Sequence, residues 1–214
     1  MTTETQLDVS SYCRTLADQA VAAGRGLAVL SGEKRNAVLH RIADLLETHV
    51  AEIVKANRDD LARSDELGLS EAMKDRLKLD ETRIRKMAGS VRQIAEQVDP
   101  VGRIIEGYVR PNGLRLEKVR VPLGVVMVIY ESRPNVTSDA AALAIKSGNA
   151  IILRGGKEAI YSNLAIGQVI REAVETQGVD PNIAQVVETP DRAVVGALLQ
   201  MEGRIDVVIP RGGE

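Results

Sequence analysis

The sequence contains no tryptophan, no phenylalanine and four tyrosines, so aromatic rings make up only 2% of its 214 residues. A stacking platform for unpaired bases needs several exposed rings, and this composition argues against that class of partner. One cysteine, Cys13, excludes an internal disulfide and suits a cytoplasmic protein. Only two histidines occur, His40 and His49. Their spacing on one predicted helix sets them on roughly opposite faces. No cysteine or carboxylate pattern completes a metal site around either, so no metal is expected. An excess of one charge is lacking too. The 28 basic and 30 acidic residues leave a net charge of −2, which gives no reason to expect nucleic acid or an anionic membrane as partner. No apolar run approaches the ~20 residues of a membrane span. The opening residues, MTTETQLDVSSYC, have neither the basic nor the apolar block of a secretion signal.

What remains is the composition of an ordinary globular protein, 44% apolar and 27% charged. The first hundred residues read as helices. Across residues 9–23 the small and apolar positions Tyr12, Cys13, Leu16, Ala17, Ala20 and Val21 form a helical stripe, which makes Cys13 a packing thiol. Ser31 is the expected N-cap of the next and longest helix, whose apolar positions run from Val38 through Leu46 to Val54. Residues 70–98 add two shorter amphipathic pieces, and Asp59-Asp60 reads as a solvated helix face. At Asp99-Pro100 the pattern changes. Residues 101–121 show short alternating stretches around Pro111-Asn112-Gly113, a strong hairpin signal, and predict a two-stranded arm.

From Pro122 onward, strands alternate with helices. The run VVMVIY, residues 125–130, predicts a strand buried on both faces. Further strands are expected at 150–153, 183–187 and 205–209. The intervening helices are expected at 134–147, at 159–176, and from a Thr189-Pro190 cap to Met201. This order implies an α/β fold with a parallel sheet, whose ligands bind at the carboxyl ends of the strands. The loops there are 131–134, 154–158, 188–191 and 211–214. Arg154-Gly155-Gly156-Lys157 is the most informative: adjacent glycines let backbone approach a ligand, and flanking cations suit a phosphate. It does not fit the P-loop pattern. A strand-end glycine pair is commonly plain turn chemistry, but Arg211-Gly212-Gly213 repeats it at a neighbouring strand end. Spacing alone points to a phosphate-bearing ligand and no further.

The run VRVPLGVVMVIYESRPNVTSDAAALAIKSGNAIILRGGKEAIYSN, residues 119–163, closely resembles the glutamate-5-semialdehyde dehydrogenases (γ-glutamyl phosphate reductases). MKDRLKLDETRI, DPVGRIIEGYVRPNGL and DVVIPRGGE match the same family, so the resemblance spans nearly the whole chain in order. It implies an aldehyde-dehydrogenase-like fold, with N-terminal helices of the cofactor domain in 1–100, an oligomerisation arm in 101–121 and a Rossmann-like NADPH-binding part in 122–214. It also implies a catalytic domain, with the nucleophilic cysteine, downstream of residue 214; on this expectation the chain is the N-terminal part of the protein and inactive alone. The implied reaction is NADPH-dependent reduction of γ-glutamyl phosphate to glutamate 5-semialdehyde and phosphate, in proline biosynthesis, by a homo-oligomer. In the wider superfamily a basic and an acidic residue of the second strand-end loop hold the adenosine ribose. Here Arg154 takes the basic position and Lys157 replaces the acid, which suits a 2′-phosphate. The resemblance thus assigns Arg154, Gly155, Gly156, Lys157, Arg211, Gly212 and Gly213 to the cofactor. Asn135 is the nearby candidate for the oxyanion donor, although ungapped matching places Glu131 there. Glu131 and Arg133 are candidates to meet the substrate. Two other readings stay open. One is a non-catalytic nucleotide-binding or oligomerisation fragment. The other is a histidinol dehydrogenase-like branch, which would need metal ligands that this sequence lacks.

Overall fold

In the computed structural model, which describes residues 8–212, the carboxylate of Asp8 accepts the amides of Ser10 and Ser11 and opens helix α1, Val9–Ala28. The expected stripe is buried at Cys13, Leu16, Ala17 and Ala20, and the helix continues beyond residue 23 through Gly24 and Gly26. A Cβ on Gly24 would lie 3.2 Å from the Cβ of Ala150, so this glycine brings α1 close onto the sheet.

Ser31 caps α2, Gly32–Thr48, by accepting the amide of Lys34. The single long helix expected from residue 31 is in fact two, because the chain breaks at His49 before α3, Val50–Ala62. Neither glycine nor proline marks the break. The Thr48 hydroxyl donates back to the Asp44 carbonyl, a local bond that competes with the helix ladder. The apolar period runs through regardless, since Leu46 and Ile53 join the same core. His40 and His49 are therefore not on one helix. Ser70 caps α4, Glu71–Leu77, and Asp80 caps α5, Glu81–Glu96. Asp60 is not a solvated face. It is buried, and its carboxylate accepts the amides of Tyr161 and Ser162 and the Ser162 hydroxyl.

Arg35, 2% exposed, pairs through Nη2 with both carboxylate oxygens of Asp99 at 2.9 and 2.7 Å, and Asp99 also accepts the Val101 amide. This pair fixes the root of the arm. Strands β1, Ile104–Val109, and β2, Arg115–Val119, pair antiparallel, and every residue of both is exposed. Gly113, at φ +85°, closes the turn, with the Asn112 carboxamide accepting the Leu114 amide.

The second sheet is parallel and four-stranded: β3 Val125–Tyr130, β4 Ala150–Arg154, β5 Ala184–Val186 and β6 Val207–Arg211. Side-chain alternation sorts it into three layers. Val125, Met127, Ala150 and Ile152 face α1 and helix α8, Ala193–Leu199. Val126, Val128, Tyr130, Ile151 and Leu153 face α2, α5, α6 (Asn135–Lys146) and α7 (Ile160–Thr176). Burial on both faces explains why VVMVIY is uninterrupted apolar.

Two elements after Pro122 are displaced by two or more residues from expectation, the others by at most one. The last helix begins at Ala193, not at Thr189-Pro190. The Thr189 hydroxyl accepts the Asp191 amide and Asp191 accepts the Ala193 amide, so two successive side-chain turns replace the single cap. The last strand runs over 207–211, not 205–209, because Asp206 is locked at its start: its carboxylate accepts the Val125 amide while its own amide donates to the Val125 carbonyl. Among the described residues β6 pairs with β3 alone, and Pro210, which has no amide to donate, sits on this edge strand. Arg211 thereby becomes a strand residue, paired with Tyr130, and Gly212 follows it. Gly213 lies outside the described residues.

Candidate functional site at the strand ends

The strand order β5-β4-β3-β6 means that the chain builds outward from β3 in one direction and then crosses back to its other side. The order reverses between β3 and β6, and ligands of open α/β sheets bind in the crevice that opens there. A cavity of about 390 Å³ lies at this position, lined by Tyr130, Glu131, Ser132, Arg133, Arg211 and Gly212, with Met73 and Arg76 of α4 closing one wall. It adjoins a second cavity of about 500 Å³ that runs from the ends of β3 and β6 to the end of β4. Arg154, Gly156, Lys157, Pro190 and Arg192 contribute to that one, together with Leu67 and Leu69. Glu131, Arg133, Arg154, Gly156, Lys157, Arg211 and Gly212, all expected from the strand-end loops, thus gather on one edge of the sheet.

The floor is fixed by a buried chain of hydroxyls. The Tyr130 hydroxyl lies 2.7 Å from that of Thr137, which in turn donates to the Asn163 carboxamide oxygen at 3.0 Å. This chain ties the end of β3 to α6 and α7. Burial pushes the Tyr130 phenol well above its ordinary pKa, against the small opposing effect of the Thr137 bond. Gly155 has a packing role: a Cβ there would meet the Asn163 amide nitrogen at 2.1 Å, so only glycine lets this loop seat on α7. Asp60 anchors the far end of the loop by capping α7 from a distance.

The cations differ in availability. Arg154 is half-buried and engaged, donating to the carbonyls of Gly155 and Pro190 and so strapping the 188–192 loop to the end of β4. Lys157 is exposed at the start of a short 3-10 turn, Lys157–Ala159, and Arg192 is exposed across the cavity. Neither side chain bonds to another described residue. Arg192 was missed from the sequence, where it sits in an unremarked position beyond the loop, as were Met73, Arg76 and Ser132.

Asn135 opens α6 and donates to Asp139 at 3.0 Å. It lines a third, smaller cavity beside the crevice rather than the crevice itself. The pKa of Asp139 is raised by burial, against the Asn135 bond and the nearby Arg211 charge. Cys13 lies on the other side of the sheet, buried, its thiol directed at the Val194 carbonyl, and burial raises its pKa. It has none of the exposure or activation of a nucleophile. Among the described residues no cluster of metal-ligating side chains occurs, and no helix is long and apolar enough to cross a membrane.

Comparison with known proteins gives this geometry a family. The aldehyde dehydrogenase family model matches residues 2–214. The gamma-glutamyl phosphate reductase of Shewanella sediminis is 47% identical over 205 residues, covering 96% of this chain and 48% of that protein. That of Enterobacter sp. (strain 638) is 51% identical over 194 residues, covering 91% and 46%. The chain therefore spans about half the length of the curated relatives it matches. The crystal structure of gamma-glutamyl phosphate reductase from Thermotoga maritima superposes with a TM-score of 0.91 at 38% identity, over 94% of this chain and 49% of that one. A probable aldehyde dehydrogenase from Listeria monocytogenes, at 19% identity and a TM-score of 0.74, shares the fold over 96% of this chain and 42% of its own. These relatives bear out the resemblance read from residues 119–163. With its α/β architecture and its switch-point crevice, the chain belongs to the aldehyde dehydrogenase family.

Proposed function

We propose that the protein carrying these residues reduces γ-glutamyl phosphate to glutamate 5-semialdehyde and phosphate with NADPH, and that residues 122–214 form its cofactor-binding part. The observation that carries this reading is the strand-end crevice of a family whose members suggest a nicotinamide cofactor, in a chain 47–51% identical to proteins named gamma-glutamyl phosphate reductase. The crevice fits such a group. It lies at the switch point, Gly156 and Gly212 border it without side chains, and the unengaged cations Lys157 and Arg192 face each other across the adjoining cavity. When bound, the cofactor supplies hydride to the acyl carbon.

The chain's own residues would then do the following. Lys157 and Arg192 meet the 2′-phosphate of NADPH, where an acidic residue would favour a free hydroxyl. Arg154 holds the 188–192 loop in place so that Arg192 stays in reach. Arg133, on the turn after β3, faces the acyl phosphate, Glu131 beside it borders the substrate, and Asn135, which lines the neighbouring cavity, is the candidate amide for a developing oxyanion. The thiol that displaces phosphate comes from outside these 214 residues, since Cys13 is buried on the wrong side of the sheet. The arm, residues 101–121, would pair with another subunit, which accounts for the exposed apolar side chains of its strands. The test is an assay of the full-length protein with glutamate 5-semialdehyde and phosphate against NADP and NAD. NADP reduction that requires phosphate is the expected result. Activity with NAD alone, or without phosphate, would overturn the proposal.

A further inference from the structure

Beside the crevice a cavity of about 270 Å³ opens between α6 and the corner joining α4 to α5. One wall is cationic: Arg76, Lys78, Arg83 and Lys86. Arg83 is engaged, donating to the Asp75 and Lys78 carbonyls and pairing with the Asp75 carboxylate. Arg76, Lys78 and Lys86 have no side-chain hydrogen bond or ion pair with another described residue. The opposite wall holds Asn135 and Asp139. Asn135 fixes one carboxylate oxygen of Asp139 at 3.0 Å, while the other, Oδ1, is buried and accepts from no described residue. A buried carboxylate oxygen without a donor is destabilising, so its retention calls for an explanation. A plain solvated basic face would have no use for it.

We infer that this cavity binds the α-amino acid end of the substrate, with Asp139 Oδ1 accepting from its ammonium and Arg76 and Lys86 meeting its carboxylate. The inference rests on the reading above, that the reacting acyl carbon sits in the switch-point crevice. The two cavities share Arg76, which lines both. Val136, which lines the crevice, and Asp139, which lines this cavity, lie three residues apart on α6, a rise of about 4.5 Å. In a γ-glutamyl group the acyl carbon and the α-carbon are separated by two methylenes, about 4 Å. A ligand of that length places its reacting carbon in the crevice near Val136 and its charged end near Asp139. The paired signs, a fixed acid facing unengaged cations, match an α-amino acid and not a simple aliphatic aldehyde.

The test uses the full-length protein with phosphate and NADP and three aldehydes: glutamate 5-semialdehyde, 5-oxopentanoate, which lacks the ammonium, and butanal, which lacks both charges. For Asp139→Asn, kcat/KM should fall about 10- to 100-fold further with glutamate 5-semialdehyde than with 5-oxopentanoate, as expected for one charge-assisted contact. For Lys86→Gln, on the exposed side, the fall with 5-oxopentanoate should exceed that with butanal by about tenfold. Lys86→Gln keeps the test open if Asp139→Asn fails to fold. Equal losses across the aldehydes, or none, overturn the inference while leaving the reductase reading standing. If the wild type reduces NADP with none of the three, the reductase reading fails and this inference falls with it.

Discussion

Thr137→Val should destabilise the fold by about 2–6 kcal/mol. The substitution is nearly isosteric, so no cavity is made. What it removes is the middle of the Tyr130–Thr137–Asn163 chain, in which Thr137 is fully buried and its neighbours are 2% and 1% exposed. Two buried groups, the tyrosine hydroxyl and the Asn163 carboxamide oxygen, are then left without partners, at about 1–3 kcal/mol each. The Asn163 amide nitrogen already has no partner, so the side chain cannot recover by flipping. Adding Tyr130→Phe removes one of the two stranded groups. The double variant should therefore lose less than the sum of the single ones, by about 1–2 kcal/mol. Urea unfolding followed by circular dichroism measures all three variants, and the slope m should stay constant if only the native state is affected. A loss below about 0.5 kcal/mol for Thr137→Val, or strict additivity in the double variant, would show that water satisfies this chain and that it does not fix the floor of the crevice.

Three further outcomes are expected. Lys157→Glu should weaken NADPH binding by about 1–3 kcal/mol more than NADH binding in a titration of the full-length protein, and equal losses would remove Lys157 from the 2′-phosphate. Tyr108→Glu with Leu116→Lys, a cross-strand pair on the arm, should shift sedimentation toward smaller species, and a wild type already monomeric at high concentration would refute the role of the arm. Arg92 holds the folded pKa of Glu47 below its ordinary value, chiefly through their hydrogen bonds. The pair therefore stabilises above the unfolded value of about 4.3 and loses that contribution as pH falls through the folded one. Glu47→Gln should accordingly cost under about 1 kcal/mol at pH 7, both partners being partly exposed, with the difference vanishing in acid unfolding curves.

How much of this was legible in the sequence follows from which forces set each part. The β-α alternation, the buried run at 125–130, the Ser31 cap and the Asn112-Gly113 turn were readable because period and turn chemistry are local. The break at His49 was not, because both helices pack on one core and keep one apolar period across it. Asp60 looked like half of a charged surface pair. Only the fold brings α7 within reach, over a hundred residues on, and makes the carboxylate its cap. The start of α8 was misplaced because Thr189 and Asp191 are both good turn formers, and nothing local decides which of them holds the helix. The register of β6 was set by Asp206 gripping Val125 across 81 residues, a contact with no sequence pattern.

The same limit applies with more consequence to the cations of the site. Arg154 and Lys157 stand three residues apart in one glycine loop, and the resemblance assigns both to the cofactor. In the structure Arg154 is a strap for the neighbouring loop, bonded to two carbonyls, whereas Lys157 is unengaged. On the proposed reading, substituting Arg154 would therefore disturb this cavity by releasing the loop that carries Arg192, and would affect both cofactors. Substituting Lys157 would discriminate between them. Arg192, invisible to a reading of the glycine loops, belongs with Lys157 because the strap made by Arg154 holds its loop against the end of β4. On the proposed reading, one charge is used up structurally so that two others can be presented to the cofactor, a division of labour that spacing alone cannot reveal.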